Sequence, residues 1–173
     1  AVLGNIKKDP LLNQKYEESI QKNIVENVMI QRSESEKVRM RKISDKGTDI
    51  GFILPSRTQL KDQDVVFLDN TKMILVKLSP ELVAVLSFKS HLSYGQGEQN
   101  YFDLINIAIK IGHTIGNLHR PLKLEENKII FPIQTIDEID LFKRLLSNLK
   151  DRVIITSDKI IFEPDHGFDV HEH

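Results

Sequence analysis

The sequence predicts an α+β fold in two parts. Three patterns carry that reading. Segments with Val, Ile, Met or Phe near every second position fill the chain up to about Leu78, two segments after Pro80 repeat apolar residues at steps of three and four, and further strand-like runs flank those two. A chain of 173 residues with 40% apolar and 28% charged residues has enough material for one ordinary domain or two small ones.

In chain order, a short apolar opening leads into "DPLLNQKYEES", which reads as a polar, turn-rich connection. "NIVENVMIQ", "EKVRMRKIS" and "TDIGFILP" follow as half-buried strands, separated by "RSESE" and by "SDKG", whose Gly47 signals a hairpin turn. "DQDVVFLDNTKMILVKL" adds two strands around the turn pair Asp69 and Asn70. No helix is expected before Leu78, so this part reads as a small all-β domain.

Pro80 marks the boundary. "LVAVLSF" is a nearly continuous apolar strand, and "KSHLSYGQGEQN" is a loop. "YFDLINIAIKIGHTIGNLH" places Tyr101, Leu104, Ala108, Ile111, Ile115 and Leu118 on one stripe of a helix, with Asn100 as its N-cap and Asp103 at the positive end. "PLKL" and "KIIFPI" are strands around the turn "EENK". "TIDEIDLFKRLLSNL" is a second helix, capped by Thr135 with Glu138 at the capping-box position. "RVIITSDKIIFEP" closes with strand character, and "DHGFDVHEH" forms a polar, mobile tail. The order after residue 80 is therefore β-α-β-β-α-β, the split βαβ or ferredoxin-like arrangement. The expected organisation is an all-β domain over 1–78, a ferredoxin-like domain over 79–163 and a short His-containing tail over 164–173.

Composition excludes several functions. The net charge is −1, with 24 basic and 25 acidic residues spread along the chain, a poor footprint for nucleic acid. There is no cysteine, which removes disulfides, thiolate metal sites and cysteine nucleophiles. No run approaches a membrane span or a signal h-region, so a cytoplasmic protein is expected. A nucleophile elbow, a phosphate-binding glycine loop and an HExxH motif are all missing, so an enzyme is not expected.

The six histidines remain. His166, His171 and His173 fall in the last eight residues, and the tail also contains Asp165, Asp169 and Glu172, a nitrogen and oxygen donor set suited to nickel, zinc or copper(II). The same residues also read as a solvated end. Pro121 forbids continuation of the preceding helix, and Gly116 and Asn117 tolerate a left-handed last turn, so His119 projects from the helix end. Two readings fit: a histidine that complements the helix dipole, or a ligand. His113 falls on the polar side of the helix with Asn106 and Lys110, and His91 sits in a loop. Gly112 and Gly116, four apart, allow close approach of another backbone, either from elsewhere in the chain or from a partner.

At "IGNLHRPL" the sequence resembles the UreE family of urease accessory proteins, whose motif here is Gly-Asn-Arg-His, one variable residue and Pro. Gly116, Asn117, His119 and Pro121 match, and Leu118 replaces the Arg. "VLGN", "VRMRKISDKGTDIGFILP", "LKDQDVVF" and "FEP" before the tail follow the family's order, so the resemblance covers nearly the whole chain. It implies a homodimeric nickel metallochaperone of urease maturation, with a partner-binding N-terminal domain and a metal-binding, dimerising C-terminal domain. His119 of each subunit would meet its twin on the two-fold axis and share Ni(II), with Zn(II) or Cu(II) as substitutes in vitro. His166, His171 and His173 would complete or feed that site. The implied partners are an accessory GTPase and apo-urease, without nucleic acid or membrane. "KIIFPIQT" lacks the histidine pair of some members, and the short tail suits delivery of few ions. The alternative from another class is a peptide-binding chaperone or adaptor working through an edge strand such as "VRMRKIS", its metal binding incidental.

Overall fold

The computed structural model describes residues 2–89 and 98–165, with the backbone course alone at 98–101, 103 and 104. The chain divides into two compact units, residues 1–80 and 81–173. His91, most of the loop before the second helix and the tail histidines lie outside the described residues, as do the side chains of Tyr101, Asp103 and Leu104.

The first unit is not all-β. Between β1 (Gly4–Asn5) and β2 (Val25–Ile30) the chain forms the 12-residue helix α1 (Pro10–Gln21), where the sequence suggests a connection. The Asp9 carboxylate accepts the backbone N–H groups of Leu11 at 2.9 Å and Leu12 at 3.2 Å, and Pro10 occupies the first helical position, where an N–H would have no partner. The helix is polar over most of its surface and inserts chiefly Leu12 and Tyr16 beside Ile6, Val65, Met73 and Leu75. A stripe that narrow gives almost no periodic signal.

The hairpin strands β3 (Arg39–Ile43) and β4 (Asp49–Ile53) pair with each other, while β5 (Asp64–Leu68) and β6 (Met73–Leu78) join β1 and β2 in a sheet of order β1-β5-β6-β2. β2 runs parallel to β6, and the other pairs are antiparallel. Met73 and Leu75 face the α1 cluster, whereas Ile74, Val76 and Leu78 pack with Val28, Ile30, Leu60, Phe52 and Leu54 under the hairpin. Coverage on both faces explains why "MILVKL" reads as a continuous apolar run. Gly47, at φ +87°, closes the hairpin turn.

Below that turn, the half-exposed Lys72 ammonium lies 3.1 Å from the buried Glu26 carboxylate, to which the Ser44 hydroxyl donates at 2.5 Å. Burial opposes the charge on Glu26, but hydrogen bonds from Ser44, Thr48 and Lys72 and the Lys72 charge outweigh it, so its pKa lies below the ordinary carboxylate value.

The second unit runs β7 (Glu81–Phe88), α2 (Glu98–Gly116), β8 (Lys123–Glu125), β9 (Lys128–Pro132), α3 (Glu138–Leu145) and β10 (Val153–Ile160). Its sheet has the order β10-β7-β9-β8 with every neighbouring pair antiparallel. Ile107, Ile111 and Ile115 of α2 and Ile139 and Phe142 of α3 pack on Ala84, Leu86 and Phe131, and the Phe131 and Phe142 rings meet edge to face at 4.7 Å. The opposite sheet face buries Val83 and Ile130 under Phe162.

Three local expectations are corrected. Asn100 lies inside α2, which already includes Glu98, so it is not the N-cap. The buried stripe runs through Ile107, Ile111 and Ile115 at steps of four, leaving Ala108 and Leu118 exposed. α3 begins at Glu138, after a tight turn in which the Glu138 N–H donates to the Thr135 carbonyl at 3.2 Å. The Glu138 carboxylate reaches back to the Gln134 N–H at 2.8 Å, one residue before the expected cap. No helix among the described residues is long and apolar enough to cross a membrane.

Candidate metal centre

α2 ends in successive tight hydrogen bonds: Asn117 N–H to the His113 carbonyl at 3.0 Å, Leu118 to Ile115 at 3.1 Å and His119 to Gly116 at 2.9 Å. The left-handed residue of this turn is His119 itself, at φ +50°, rather than Gly116 or Asn117. A non-glycine side chain in that conformation costs energy, of order 1–3 kcal/mol, and such positions gather at functional sites. The imidazole is exposed.

Arg120 and Pro121 turn the chain back into the domain. The Arg120 guanidinium donates to the Pro132 carbonyl at 3.2 Å and to the Glu138 carboxylate at 2.7 Å. The turn is thereby fixed to the end of β9 and the start of α3. Neither Arg120 nor Glu138 belongs to the sequence-predicted site. The signal for them was Glu138 at a helix start and an arginine beside the motif.

The C-terminal segment approaches the same region. The Asp165 N–H donates to the Leu122 carbonyl at 3.0 Å, and the Asp165 carboxylate accepts from the Leu124 N–H at 2.8 Å. Leu122 is three residues from His119, at most about 11 Å along the chain. His166, the first tail histidine, follows Asp165 directly. His166, His171 and His173 lie outside the described residues, and no three His, Asp or Glu side chains among the described residues gather to hold a metal ion. His119 supplies one imidazole per chain.

His113 is exposed, with the Asn117 amide nitrogen 2.9 Å from its Nδ1, a contact within its own helix turn. Next to it, Phe102, Ile105, Ile109, Gly112 and Gly116 follow one another at steps of three and four, facing away from the buried stripe. Phe102 and Ile109 are 60% and 62% exposed, so this apolar face has no cover among the described residues. A methyl group added at Gly112 or Gly116 would meet nothing within 4 Å among the described residues, so these glycines do not make room for packing by those residues.

Comparison with known proteins fits this arrangement. The UreE urease accessory protein N-terminal domain matches residues 1–79, the extent of the first unit. Proteins named urease accessory protein UreE from Yersinia kristensenii and Yersinia enterocolitica are each 28% identical over 134 residues, covering 76% of this chain and 55% and 54% of theirs. One from Yersinia frederiksenii matches equally, with 52% of its length covered. The chain thus spans about half the length of the curated relatives it matches. The domain described for the UreE family of urease accessory proteins thus fills the first unit, and the similarity to proteins of that name runs on into the second.

Proposed function

We propose that this protein is a nickel metallochaperone that delivers Ni(II) to apo-urease while the urease active site is assembled. The observation that carries the proposal is His119, an exposed imidazole held in a left-handed turn by an inward-tied neighbour. The names of its relatives place them in urease maturation. Dimerisation of the second unit, read as a ferredoxin-like domain, supplies what one chain lacks, because a two-fold axis doubles any residue near it. The uncovered face of α2, ending in Gly112 and Gly116 beside the His119 turn, suits a second copy of the same helix. Two His119 imidazoles would then share one ion, with His166, His171 or His173 completing the coordination. Nickel accepts imidazole and carboxylate ligands, and so do zinc and copper(II), which would compete in vitro.

Such a site holds its ion without enclosing it, so the ion can be handed on to a complex of apo-urease with a maturation GTPase. No catalytic step by this chain is needed. Histidine must be neutral to ligate and ordinarily titrates near pH 6.5, so uptake should weaken as pH falls through that range.

A second reading, a peptide-binding adaptor, draws on the hairpin. Ile43 and Ile53 are 69% and 74% exposed on its outer face, flanking the ion pair of Arg41 with Asp49. Activation of apo-urease in a purified system at limiting nickel separates the two. Under the metallochaperone reading the protein raises the activated fraction and His119→Ala does not, while Ile43→Asp with Ile53→Asp leaves nickel uptake intact. Equal activation by His119→Ala would favour the adaptor.

A further inference from the structure

We infer that the outer edge of β4 is a strand-addition site for an extended protein segment that carries an aliphatic, an aromatic and a basic residue at every second position. The site lies wholly in the first unit and is independent of the nickel reading above.

The register of the hairpin decides which backbone groups are left over. The Ser44 N–H donates to the Thr48 carbonyl and the Leu54 N–H to the Val38 carbonyl, each at 2.8 Å. Antiparallel pairs alternate, so Met40 with Phe52 and Lys42 with Ile50 carry the bonds between those two ends. Asp49, Gly51 and Ile53 therefore turn their N–H and C=O groups outward. β4 pairs with β3 alone, which leaves these groups on an unpaired edge, and the same residues are exposed.

The edge of β3 is less open. Its outward residues are Arg39, Arg41 and Ile43, and charges of this kind guard edge strands. Asp45, just past its end, is also bonded in both directions to the backbone of Asn27 in β2. The β4 edge carries a single charge, Asp49. At its centre a methyl group added to Gly51 would meet nothing within 4 Å among the described residues. A glycine inside a strand suits the close approach of another backbone.

Cross-strand pairing names the occupant. In an antiparallel addition each outward residue faces one residue of the new strand. Opposite Asp49 a lysine or arginine is favoured and a carboxylate is repelled. Opposite Gly51 an aromatic ring fills the open space and lies beside the exposed Arg41, which pairs with Gly51 in the hairpin. Opposite Ile53, 74% exposed, an aliphatic side chain removes apolar surface from water. A second copy of β4 fits worse: the register that keeps every pair sets glycine against glycine and Ile53 against Asp49.

The test is titration of the full chain with the capped peptide Thr-Val-Thr-Phe-Thr-Lys-Thr, read by magnetic resonance shifts and hydrogen exchange of the hairpin amides. The amides of Asp49, Gly51 and Ile53 should shift and gain protection, while those of Arg39, Arg41 and Ile43 should not. Changing the peptide's lysine to glutamate or its phenylalanine to glycine should weaken binding about two- to five-fold. Asp49→Lys with Ile53→Lys should abolish it, as should Gly51→Pro, which removes an N–H that the hairpin does not use. Thermal unfolding checks that the variants are folded. Both variants should take up nickel like wild type, so failure of this site and failure of the nickel reading are separate results. No protection at peptide concentrations up to about 5 mM, protection of the β3 edge instead, or protection in the peptide-free protein with a doubled mass would each overturn the inference.

Discussion

Arg120 and Glu138 meet at 2.7 Å, and through that pair the residue after His119 is joined to the first turn of α3. The pair is largely shielded, with 21% and 16% of the two side chains exposed, and the guanidinium also donates to the Pro132 carbonyl. Leu118 occupies the arginine position of the family motif, but Arg120 points inward and holds the turn from below.

Arg120→Ala should therefore cost about 1–2 kcal/mol of stability, since it leaves the Glu138 carboxylate partly buried without its cation. It should also weaken nickel uptake by loosening the turn. Arg120→Lys restores the charge but not the planar fork, so it should recover stability only in part. Urea unfolding and nickel titration of both variants check this, and unchanged stability in Arg120→Ala would refute it.

The conformation of His119 separates stability from function. Glycine adopts φ +50° without strain, so His119→Gly should hold or raise stability by up to about 1 kcal/mol, after its greater unfolded-state entropy is counted. Alanine keeps the strain and should gain nothing. Both should lose nickel. Thermal unfolding beside titration reads the difference, and a His119→Gly protein markedly less stable than His119→Ala would contradict the strained turn.

Much of the fold was legible because its strands announce themselves. "MILVKL" and "LVAVLSF" are apolar runs that only buried strands explain at that length, and Gly47 and Asp69 mark turns. α1 escaped because a helix that inserts little more than Leu12 and Tyr16 has no stripe to see, although Asp9 before Pro10 was a helix start in plain view. The start of α3 was misplaced because Glu138 serves Gln134 and Arg120 together, a tertiary choice. At the site, the motif pointed to His119. Its left-handed φ and the docking of Asp165 depend on contacts 18 to 43 residues away, which local pattern does not encode.

The Glu26 cluster predicts an acid weakness in the first unit. Its folded pKa is lowered, so its contribution is present in full above the unfolded carboxylate value and is lost as pH falls through the folded value. Glu26→Gln should cost about 1–3 kcal/mol at pH 7, and the gap to wild type should narrow as pH falls below the ordinary carboxylate range. Denaturant unfolding from pH 7 down to pH 3 measures it. A gap that stays constant with pH would exclude the charge as its source.

The uncovered face of α2 predicts an association state. Ile109→Glu places a charge in the middle of Phe102, Ile105, Gly112 and Gly116, and should convert a dimer to a monomer without lowering the unfolding temperature, because Ile109 is exposed in the single chain. Sedimentation or light scattering decides. A mass unchanged from wild type would place the dimer contact elsewhere.

The most direct test is calorimetric titration of Ni(II) into wild type and His119→Ala, with the mass of each species measured alongside. A wild-type dimer that takes up one tightly held nickel per two chains, and a His119→Ala dimer that does not, is the predicted result. A His119→Ala protein that binds nickel with wild-type affinity and stoichiometry would contradict it, leaving the turn at His119 as no more than the end of a helix.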